Sequence, residues 1–363
     1  MKKRNISKKT VITWTILLLI ILFIKFYSFN AISVENNYST GAYVFISRFF
    51  RFLFGWIPFS IGDVVYFLAA CWLLYKIIKN LKLAFQKKFS VEILWRKFTK
   101  LIFLACIIYI VFNLFWGINY NRKGIAYQLQ LSTVEYDTSD LIHLQSLLLD
   151  KVNSTKKIIV FNNSSYPQQA ELFSKARECY AETQIMFPFL KYKNISVKSS
   201  LYGMLGNYLG YTGYYNPFTG EAQVNTTVPL FLQPDIAVHE MGHQLGYAKE
   251  DEASFAGYLA ARNSTDTVFQ YSTYLSLYMY ANRDVYSFDS IKSRESLNLL
   301  LPGIKSDLKE WRDFNLAHEG YLEPALRWLY SNYLKINQQP KGLNSYNQVI
   351  ALLVAYYKKY GVI

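Results

Sequence analysis

The sequence has few of the residues that form disulfide-linked or cysteine-ligated sites. It contains three cysteines and four histidines in 363 residues, and no two cysteines stand in a Cys-x-x-Cys pair. This pattern excludes a zinc site built on such cysteine pairs and a thioredoxin-like redox motif. Residues 119–363 contain one cysteine, Cys179. If they form a domain outside the cytoplasm, it cannot form an internal disulfide, so its stability has to come from a packed core.

Charged residues are also scarce, at 18%, whereas 52% of the residues are hydrophobic. This composition is apolar for a soluble enzyme and predicts membrane spans. The net charge of +14 is uneven, because residues 1–118 hold 16 Lys/Arg against three Asp/Glu, whereas residues 119–363 hold 23 against 22. A nucleic-acid-binding protein would carry its basic patch on the folded domain. We therefore expect no nucleic-acid partner and interpret the basic excess as a topology signal.

Three apolar runs predict transmembrane helices at about 11–29, 64–80 and 101–118. Each run is near the ~20 residues needed to cross the hydrocarbon layer, so the lipid bilayer is the expected partner of residues 1–118. The first run lacks a small-x-small cleavage site, which favours an uncleaved anchor. Lys/Arg residues at the N-terminus and between the second and third spans place both segments in the cytoplasm. This predicts a multi-pass protein of the cytoplasmic membrane with its C-terminal domain outside the cytoplasm.

The aromatic segment 42–57 (AYVFISRFFRFLFGWI) complicates this topology. If it crossed the membrane, the lysine-rich loop would lie outside, against the positive-inside rule. We interpret it as an interfacial or re-entrant segment with Arg48 and Arg51 near the headgroups. Asp63 is then expected to pair with one of these arginines, and an intramembrane ion or proton site is the alternative.

The remaining residues, 119–363, are predicted to form one domain that is mainly α-helical with a small β element. Amphipathic periodicity and start and stop signals predict helices at 140–152, 168–187, 233–247, 249–261, 269–281, 290–301, 321–337 and 345–359. The Gly/Tyr-rich stretch 203–220 and the alternating stretch 221–227 predict a hairpin or two short strands.

The stretch His239-Glu240-Met241-Gly242-His243 is an H-E-x-x-H motif. Residues four apart lie on one face of a helix, so His239 and His243 can hold one zinc ion from the same side. Glu240 is then placed beside the ion as the catalytic general base. The predicted cofactor is one Zn²⁺ per chain.

A catalytic zinc takes three protein ligands and keeps one position open. The nearest candidates for the third ligand are Glu250, Asp251 and Glu252, just past the motif helix. Acidic side chains in a first helical turn are also favoured by the helix dipole, without any metal. His143 and His318 are distant in sequence, and we interpret them as ordinary surface or core residues.

Around this motif the sequence resembles zinc metallopeptidases of the gluzincin clan. In prenyl-protein-protease-like members the third ligand opens a Glu-x-x-Ala-Asp pattern, and this chain has Glu250-Asp251-Glu252-Ala253-Ser254. That register implies Glu250 as the ligand, with Ser254 in place of the Asp that supports a ligand. The thermolysin-like register selects Glu252 instead. The resemblance therefore implies a zincin-like α+β domain with Glu250 as first choice, Glu252 as second, and Asp251 facing another side.

Over the whole chain the sequence is similar to a domain-of-unknown-function family of bacterial membrane proteins with three N-terminal spans and a large outer domain. The stretches that carry this similarity are WGINY at 116–120, GYYNPFTGEA at 213–222, and residues 239–255. The resemblance implies a metallopeptidase and brings no known substrate.

These observations predict a membrane-anchored zinc metallopeptidase that hydrolyses peptide bonds outside the cytoplasm. The strand region ahead of the motif helix would add an extended peptide or protein substrate to its edge. The candidate substrate-edge residues are Tyr214, Tyr215, Asn216 and Glu221. A tyrosine or His318 is a candidate for stabilising the oxyanion. Two alternatives stay open: a catalytically inactive membrane receptor or scaffold with a zincin-like fold, and a zinc amidase acting on cell-wall peptides.

Overall fold

The computed structural model describes most of the chain, namely residues 7–86, 90–132, 136–321, 323–342 and 348–363. Five basic residues behind the topology prediction lie outside the described residues: Lys2, Lys3, Arg4, Lys87 and Lys88. The structure is mainly helical and includes a small three-stranded sheet, as the sequence predicts.

The N-terminal third consists of helices on both sides of a π-helical segment at Val34–Ala42. In chain order they are α1 (Lys8–Ser28), α2 (Ala31–Ser33), α3 (Tyr43–Phe54), α4 (Ile61–Phe85) and α5 (Val91–Phe115). Within the described residues, three of them, α1, α4 and α5, are long and apolar enough to cross a membrane. The predicted bounds differ from these helices by a few residues. The third span ends at Phe115 rather than at residue 118, because the chain then forms a 3-10 turn at Gly117–Asn121.

Each of these three helices starts after a serine whose hydroxyl accepts a hydrogen bond from a backbone N–H three residues further on. The serines are Ser7, Ser60 and Ser90, with donor–acceptor distances of 3.2, 2.9 and 3.2 Å. Such caps satisfy backbone donors that a helix start would otherwise leave unpaired. Most side chains of the three helices are apolar and exposed in the isolated chain, as expected for surfaces that face lipid.

The segment predicted to be interfacial forms α3, which is fixed to the C-terminal domain (residues 119–363). At 12 residues it is about 18 Å long, too short to cross a hydrocarbon layer of roughly 30 Å. The Ser47 hydroxyl donates a hydrogen bond to the carbonyl oxygen of Gln244, at 2.8 Å. Arg51 is buried with its guanidinium 4.6 Å from the ring centre of Tyr192. The expected position of Arg51 near the headgroups is therefore wrong.

The expected pairing of Asp63 with Arg48 or Arg51 is also wrong. The Asp63 carboxylate instead accepts hydrogen bonds from the backbone N–H of Leu201, at 2.6 Å, and from the hydroxyl of Tyr214. It is fully buried. Asp63 thus joins the start of α4 to the C-terminal domain.

The C-terminal domain contains eleven helices within the described residues. They are α6 (Gly124–Gln128), α7 (Thr138–Phe161), α8 (Gln169–Thr183), α9 (Gly203–Leu209), α10 (Gln233–Gln244), α11 (Glu250–Arg262), α12 (Thr267–Tyr286), α13 (Ser290–Asn298), α14 (Pro302–Ala317), α15 (Glu323–Ile336) and α16 (Val349–Tyr360). Each predicted helix has a counterpart, and α7 continues nine residues beyond its predicted end. The predicted start of the last helix, at 345–347, lies outside the described residues. The helices α6, α9 and α14 have no counterpart in the prediction, and α14 buries only Ile304.

The sheet has the strand order β1-β3-β2, with β1 at Val197–Ser199, β2 at Gly213–Asn216 and β3 at Glu221–Val224. The predicted hairpin is present as β2 and β3, which pair antiparallel. Gly220 in the connecting turn has a φ of +67°, a backbone conformation that glycine adopts without strain. The short strand β1 pairs parallel with β3 and is not part of the prediction. Strand β2 forms one edge of the sheet, beside the motif helix α10.

A buried ion pair joins the N-terminal third of the chain to the C-terminal domain. Arg122 contacts both carboxylate oxygens of Glu35, at 2.6 and 2.9 Å, and each side chain is only 2% exposed. A further N–H of Arg122 donates to the carbonyl oxygen of Gly246, at 3.1 Å, just past the motif helix. Burial alone would raise the pKa of Glu35, but the hydrogen bonds and charge of Arg122 lower it below its usual value.

Replacing Arg122 with alanine leaves the buried Glu35 carboxylate without its cation. We expect Arg122→Ala to lower the free energy of unfolding by about 3–5 kcal/mol, the usual cost of removing one partner of a buried pair. Arg312→Ala is the matched control, because Arg312 forms an exposed pair with Asp313 and its loss should cost about 1 kcal/mol or less. Denaturant titration of the detergent-solubilised chain measures both. Equal losses in the two variants would contradict a structural role for the buried pair.

The same ion pair predicts a pH dependence of stability. Because the folded-state pKa of Glu35 is below the ordinary 4.5, its ionised form stabilises the fold at neutral pH. That contribution is lost as the pH falls through the lower folded-state pKa. The stability advantage of the native chain over Glu35→Gln should therefore shrink between about pH 5 and pH 3. A constant difference across this range, in denaturant titrations at each pH, would refute the assignment.

Candidate metal centre

Helix α10 places the two motif histidines on one face. Pro234 fits its first turn, where a missing backbone N–H costs nothing. The helix stops before Gly246, whose φ of +88° suits a glycine, and the backbone N–H of Gly246 donates to the carbonyl oxygen of His243. The imidazole rings of His239 and His243 lie perpendicular, with their centroids 4.8 Å apart.

Small residues let α11 approach α10 closely. A Cβ atom at Gly242 would lie 2.9 Å from the carbonyl oxygen of Ala253, and one at Gly257 would lie 3.2 Å from the backbone nitrogen of His239. Ala253 itself is fully buried. Larger residues at these positions would separate the helices. The close packing brings the first residue of α11, Glu250, against the histidines.

The structure brings His239, His243 and Glu250 together. The Oε2 atom of Glu250 lies 3.2 Å from Nε2 of His239 and 3.4 Å from Nε2 of His243. The potential ligand atoms of the three residues all lie within 4.8 Å of one another. Two donors that each lie 2.0–2.1 Å from a tetrahedral zinc are about 3.3 Å apart, so the spacing of the carboxylate from each imidazole suits that ion.

The other ring nitrogens of the two histidines are held by hydrogen bonds. The Nδ1 atom of His239 lies 3.0 Å from the hydroxyl of Ser254, and Nδ1 of His243 lies 2.7 Å from the carbonyl oxygen of Tyr247. A carbonyl oxygen can only accept, so Nδ1 of His243 carries the proton, and in the neutral ring Nε2 keeps a lone pair. Metal-binding histidines are oriented in this way. Ser254 thus contacts the ring nitrogen of His239 that faces away from Glu250.

Glu250 is held by two residues that the sequence analysis does not select. The hydroxyl of Tyr330 donates to Oε1 of Glu250 at 2.7 Å, and the backbone N–H of Glu250 donates to the side chain of Gln339 at 3.1 Å. Burial would raise the pKa of Glu250, but the charge of His243 and the hydrogen bonds of both histidines lower it well below its usual value. Burial likewise opposes protonation of His243, but the charge of Glu250 raises its pKa to about 9. Both pKa shifts thus favour an ion pair between the Glu250 carboxylate and a protonated His243 imidazole.

Glu240 faces the cavity beside the histidines, next to the sheet edge. It is 5% exposed, and within the described part of the chain its Oε2 atom has no hydrogen-bond partner. Burial raises the pKa of Glu240 to about 7, against the opposing charges of His239 and His243. A Cβ atom at Gly213 of β2 would lie only 2.6 Å from Oε1 of Glu240. Glycine at 213 therefore leaves the space that the Glu240 carboxylate occupies.

The other two acidic residues of α11 lie apart from the histidine cluster. A Cβ atom at Gly124 would collide with the carboxylate of Glu252, which therefore lies against α6. Glu252 is also 3.9 Å from the ammonium of Lys249. Asp251 is not part of the cluster, and the charges that act on its carboxyl group are those of Glu252 and Lys249. Of the two ranked glutamates, Glu250 is the one that the structure places with the histidines.

The remaining histidines lie away from this cluster. The ring of His143 lies 3.0 Å from the hydroxyl of Tyr357, and that of His318 lies 2.8 Å from the carbonyl oxygen of Phe314. Neither residue lines the cavity at the metal centre. His318 is therefore not placed to stabilise an oxyanion there.

The four candidate substrate-edge residues divide into two groups. Tyr214 and Tyr215 line the cavity beside the metal centre. Asn216 and Glu221 are fully buried, and Glu221 accepts hydrogen bonds from the backbone of Gly62, at 2.6 Å, and from Lys198. The predicted substrate contact of Asn216 and Glu221 is wrong, because these side chains join the sheet to the start of α4.

A cavity of about 960 Å³ opens at the metal centre. The cavity is lined by His239, Glu240 and His243 of the H-E-x-x-H motif and also by Glu250 and Ser254 of α11. Its walls come from the outer ends of α4 and α5, from β2 and from α15. The further lining residues used below are Tyr66, Phe112, Trp116, Gly213, Tyr214, Tyr215, Leu329 and Tyr330. Two nitrogen donors and one carboxylate at the base of such a cavity form a donor set suited to zinc with an open position.

Comparison with known proteins gives a family but no function. A family model described as "Protein of unknown function (DUF3810)" matches residues 38–354. No curated protein and no solved structure matches the chain.

Proposed function

The chain belongs to the DUF3810 family of proteins of unknown function, and because this membership assigns no chemistry, we propose a function from the site itself. The proposal is a membrane-anchored zinc hydrolase that cleaves peptide bonds outside the cytoplasm. One zinc ion per chain is held by His239, His243 and Glu250, and Glu240 is the catalytic base. The observation that carries the proposal is the convergence of the three ligand atoms in a buried site beside Glu240.

The order of elements around the site supports a zincin-like arrangement, which is part of the proposal. An edge strand, β2, lies beside the helix that carries the H-E-x-x-H motif, and the next helix begins with the third ligand. An extended peptide can hydrogen-bond along the free edge of β2. The absence of a side chain at Gly213 lets Glu240 reach that edge. The scissile bond would then lie between the edge strand and the metal centre.

The residues of the chain account for the proton transfers of peptide hydrolysis. A zinc ion at this site supplies Lewis-acid polarisation of the carbonyl group and of water. Glu240 accepts the proton of the attacking water at its unpaired Oε2 atom as the new carbon–oxygen bond forms. It then delivers that proton to the amine as the carbon–nitrogen bond breaks. Ser254 and Tyr330 hold His239 and Glu250 in place throughout.

The charge distribution supports an orientation with this site outside the cytoplasm. Lys25, in the last turn of α1, is the exception among the nine described Lys/Arg residues in α1, α4 and α5, and the other eight lie in the helix halves remote from the site: Lys8, Lys9, Lys76, Lys79, Lys82, Arg96, Lys97 and Lys100. By the positive-inside rule these ends face the cytoplasm. Asp63 and Trp116, which contact the outer domain, lie at the opposite ends of α4 and α5. The proposed location is the cytoplasmic membrane of a bacterium.

Zinc content is the first test of the proposal. The purified native chain should hold about one zinc ion, and His239→Ala, His243→Ala and Glu250→Ala should each lose it. Ser254→Ala removes only a hydrogen bond to a ligand and should weaken zinc binding by about 10–100-fold. Elemental analysis by mass spectrometry, with a competing chelator, measures both effects.

Two control variants make the zinc test specific. Glu252→Gln alters the neighbouring glutamate on α11, and His143→Ala alters a histidine remote from the site. Both should keep the native zinc content. Native zinc affinity in Glu250→Ala, or loss of zinc in Glu252→Gln, would contradict the ligand assignment.

Glu240→Gln separates metal binding from catalysis. The variant keeps the shape of the side chain but cannot accept a proton, so it should retain zinc while hydrolysis falls by about 10²–10⁴-fold. Fluorescent casein and isolated cell-wall fragments, incubated with the full chain in detergent, provide the two assays. Hydrolysis by Glu240→Gln at the native rate would exclude Glu240 as the base. A zinc-loaded native chain that cleaves neither substrate class would count against the hydrolase.

A further inference from the structure

We infer that the site works at the bilayer surface and that its substrate is a peptide segment tethered to the outer leaflet by a neighbouring hydrophobic anchor. This inference rests on the proposed hydrolase and narrows its substrate class. It is carried by the contacts between the site and the span ends, and by two helices with exposed apolar side chains beside the cavity.

The metal centre is in direct contact with the end of a span. Helix α5 ends at Phe115, and the ring of the next residue, Trp116, lies edge-on to the imidazole of His243 with the centroids 6.0 Å apart. The same indole contacts Tyr215 of β2, with a centroid distance of 4.5 Å. Phe112, in the last turn of α5, lines the cavity itself. The proposed zinc site therefore lies at the depth where α5 leaves the membrane.

The first turns of α4 fix the opposite wall of the cavity at the same depth. The ring of Tyr66 stacks on that of Tyr214, with the centroids 6.2 Å apart. Asp63 accepts a hydrogen bond from the backbone of Leu201, at 2.6 Å, and the hydroxyl of Tyr202 donates to the Asp63 carbonyl oxygen, at 2.9 Å. These contacts hold β2 and the start of α9 against the outer end of the span.

Helix α9 has the polarity expected in lipid rather than in water. Its inward side chain is Asn207, which hydrogen-bonds to Asn225 at 2.7 Å and to Thr227 at 3.1 Å. The outward side chains of α9, Met204, Leu205 and Tyr208, and that of Leu201 just before the helix are apolar or aromatic, and each is between 47% and 62% exposed. A water-soluble helix buries its apolar face, whereas an interfacial helix presents that face to the acyl boundary.

A second apolar surface lies next to α9. On α15, Trp328 and Leu329 are 67% and 55% exposed, and Leu329 also lines the cavity. The start of α15 lies against the end of α9, where a Cβ atom at Gly210 would be 3.2 Å from Cγ of Glu323. The two helices therefore adjoin beside the cavity, and we call six exposed apolar or aromatic side chains on or next to them the membrane collar (Leu201, Met204, Leu205, Tyr208, Trp328 and Leu329).

The membrane collar restricts the substrates of the cavity to one class. Because the backbone N–H of Leu201 in the collar donates to Asp63 at the outer end of α4, the outer leaflet is the surface that fits the collar. A polypeptide anchored in that leaflet can lay its adjacent segment along β2 without leaving the membrane. Anchoring also confines the peptide to the surface where the metal centre lies, which raises its effective concentration. The substrate is therefore the segment next to an anchor, and not a peptide free in water.

Lipid contact of the collar can be measured without any assay of activity. An NBD fluorophore attached at M204C, in a chain with Cys71→Ala and Cys106→Ala, is reconstituted in phosphatidylethanolamine–phosphatidylglycerol vesicles. The control label is placed at I185C, which is 85% exposed. The nearby Thr183 hydrogen-bonds to the backbone carbonyl groups of Leu259 and Ala260, near the end of α11 that is remote from the metal centre.

The two label positions should respond differently to the lipid. We expect the M204C label to be blue-shifted and quenched by nitroxide-labelled lipids, with the I185C label unaffected. Equal quenching at both positions, or none at either, would overturn the inference. A blue shift without quenching would show that a second copy or another protein covers this face, and would overturn it too.

Cleavage of tethered and free peptides tests the substrate class. A random-sequence peptide library is prepared with and without an N-terminal palmitoyl group and is added to the full chain in the same vesicles. Mass spectrometry follows cleavage, and zinc content is measured in each sample. We expect the palmitoylated library to be cut about tenfold faster or more, the gain that confinement to one surface provides. Met204→Gln with Leu205→Gln should reduce this preference, whereas Ile185→Gln should preserve it.

The outcomes distinguish this inference from the proposed function. Equal cleavage of both libraries by the native chain would overturn the inference and leave the hydrolase intact. No cleavage of either library by the zinc-loaded chain would overturn both. An unchanged preference in the double variant would show that confinement alone, and not the collar, selects the substrate, and would overturn the inference.

Discussion

A buried carboxylate facing two imidazole nitrogens is the constraint on which the site depends. The hydrogen bond from His243 to the carbonyl oxygen of Tyr247 fixes the proton on Nδ1, so a neutral ring turns its Nε2 lone pair toward Glu250. Two acceptors 3.4 Å apart in a buried site repel unless a cation lies between them. A proton can satisfy this arrangement in part, since the pKa of His243 rises to about 9. A divalent ion can in addition bind the Nε2 atom of His239.

Contacts elsewhere in the fold hold His239, His243 and Glu250 close together. Close packing of α10 on α11, through Gly242 and Ala253, sets the distance between the histidines and Glu250. The ion pair of Glu35 and Arg122 then connects the loop after the motif helix to the π-helical segment before α3. Because the same loop supplies the carbonyl oxygen that orients a histidine, the membrane region and the metal centre form one connected structure.

Local signals in the sequence predict the three candidate spans and the helix that carries the motif, because apolar length, histidine spacing and Gly246 act over one or two turns. They do not decide between Glu250 and Glu252, since both lie in the first turn of α11 and only its packing decides which faces the histidines. The support from Tyr330 comes from 80 residues away and leaves no local pattern. Glu221 was misassigned because its alternating strand context resembles a substrate edge, whereas its carboxylate binds the start of α4. The glycines in 203–220 favour turns and strands, so the sequence does not predict α9, a helix whose exposed side chains are apolar or aromatic.

The central claim is that one metal ion joins two imidazoles and one carboxylate at the outer end of the spans. Zinc K-edge X-ray absorption of the purified full chain tests this most directly. The account predicts two nitrogen donors and one carboxylate oxygen donor at about 2.0–2.2 Å, with a further light-atom ligand in the open position. A coordination shell that is unchanged in Glu250→Ala, or a native chain that binds no zinc when it is supplied, would contradict it.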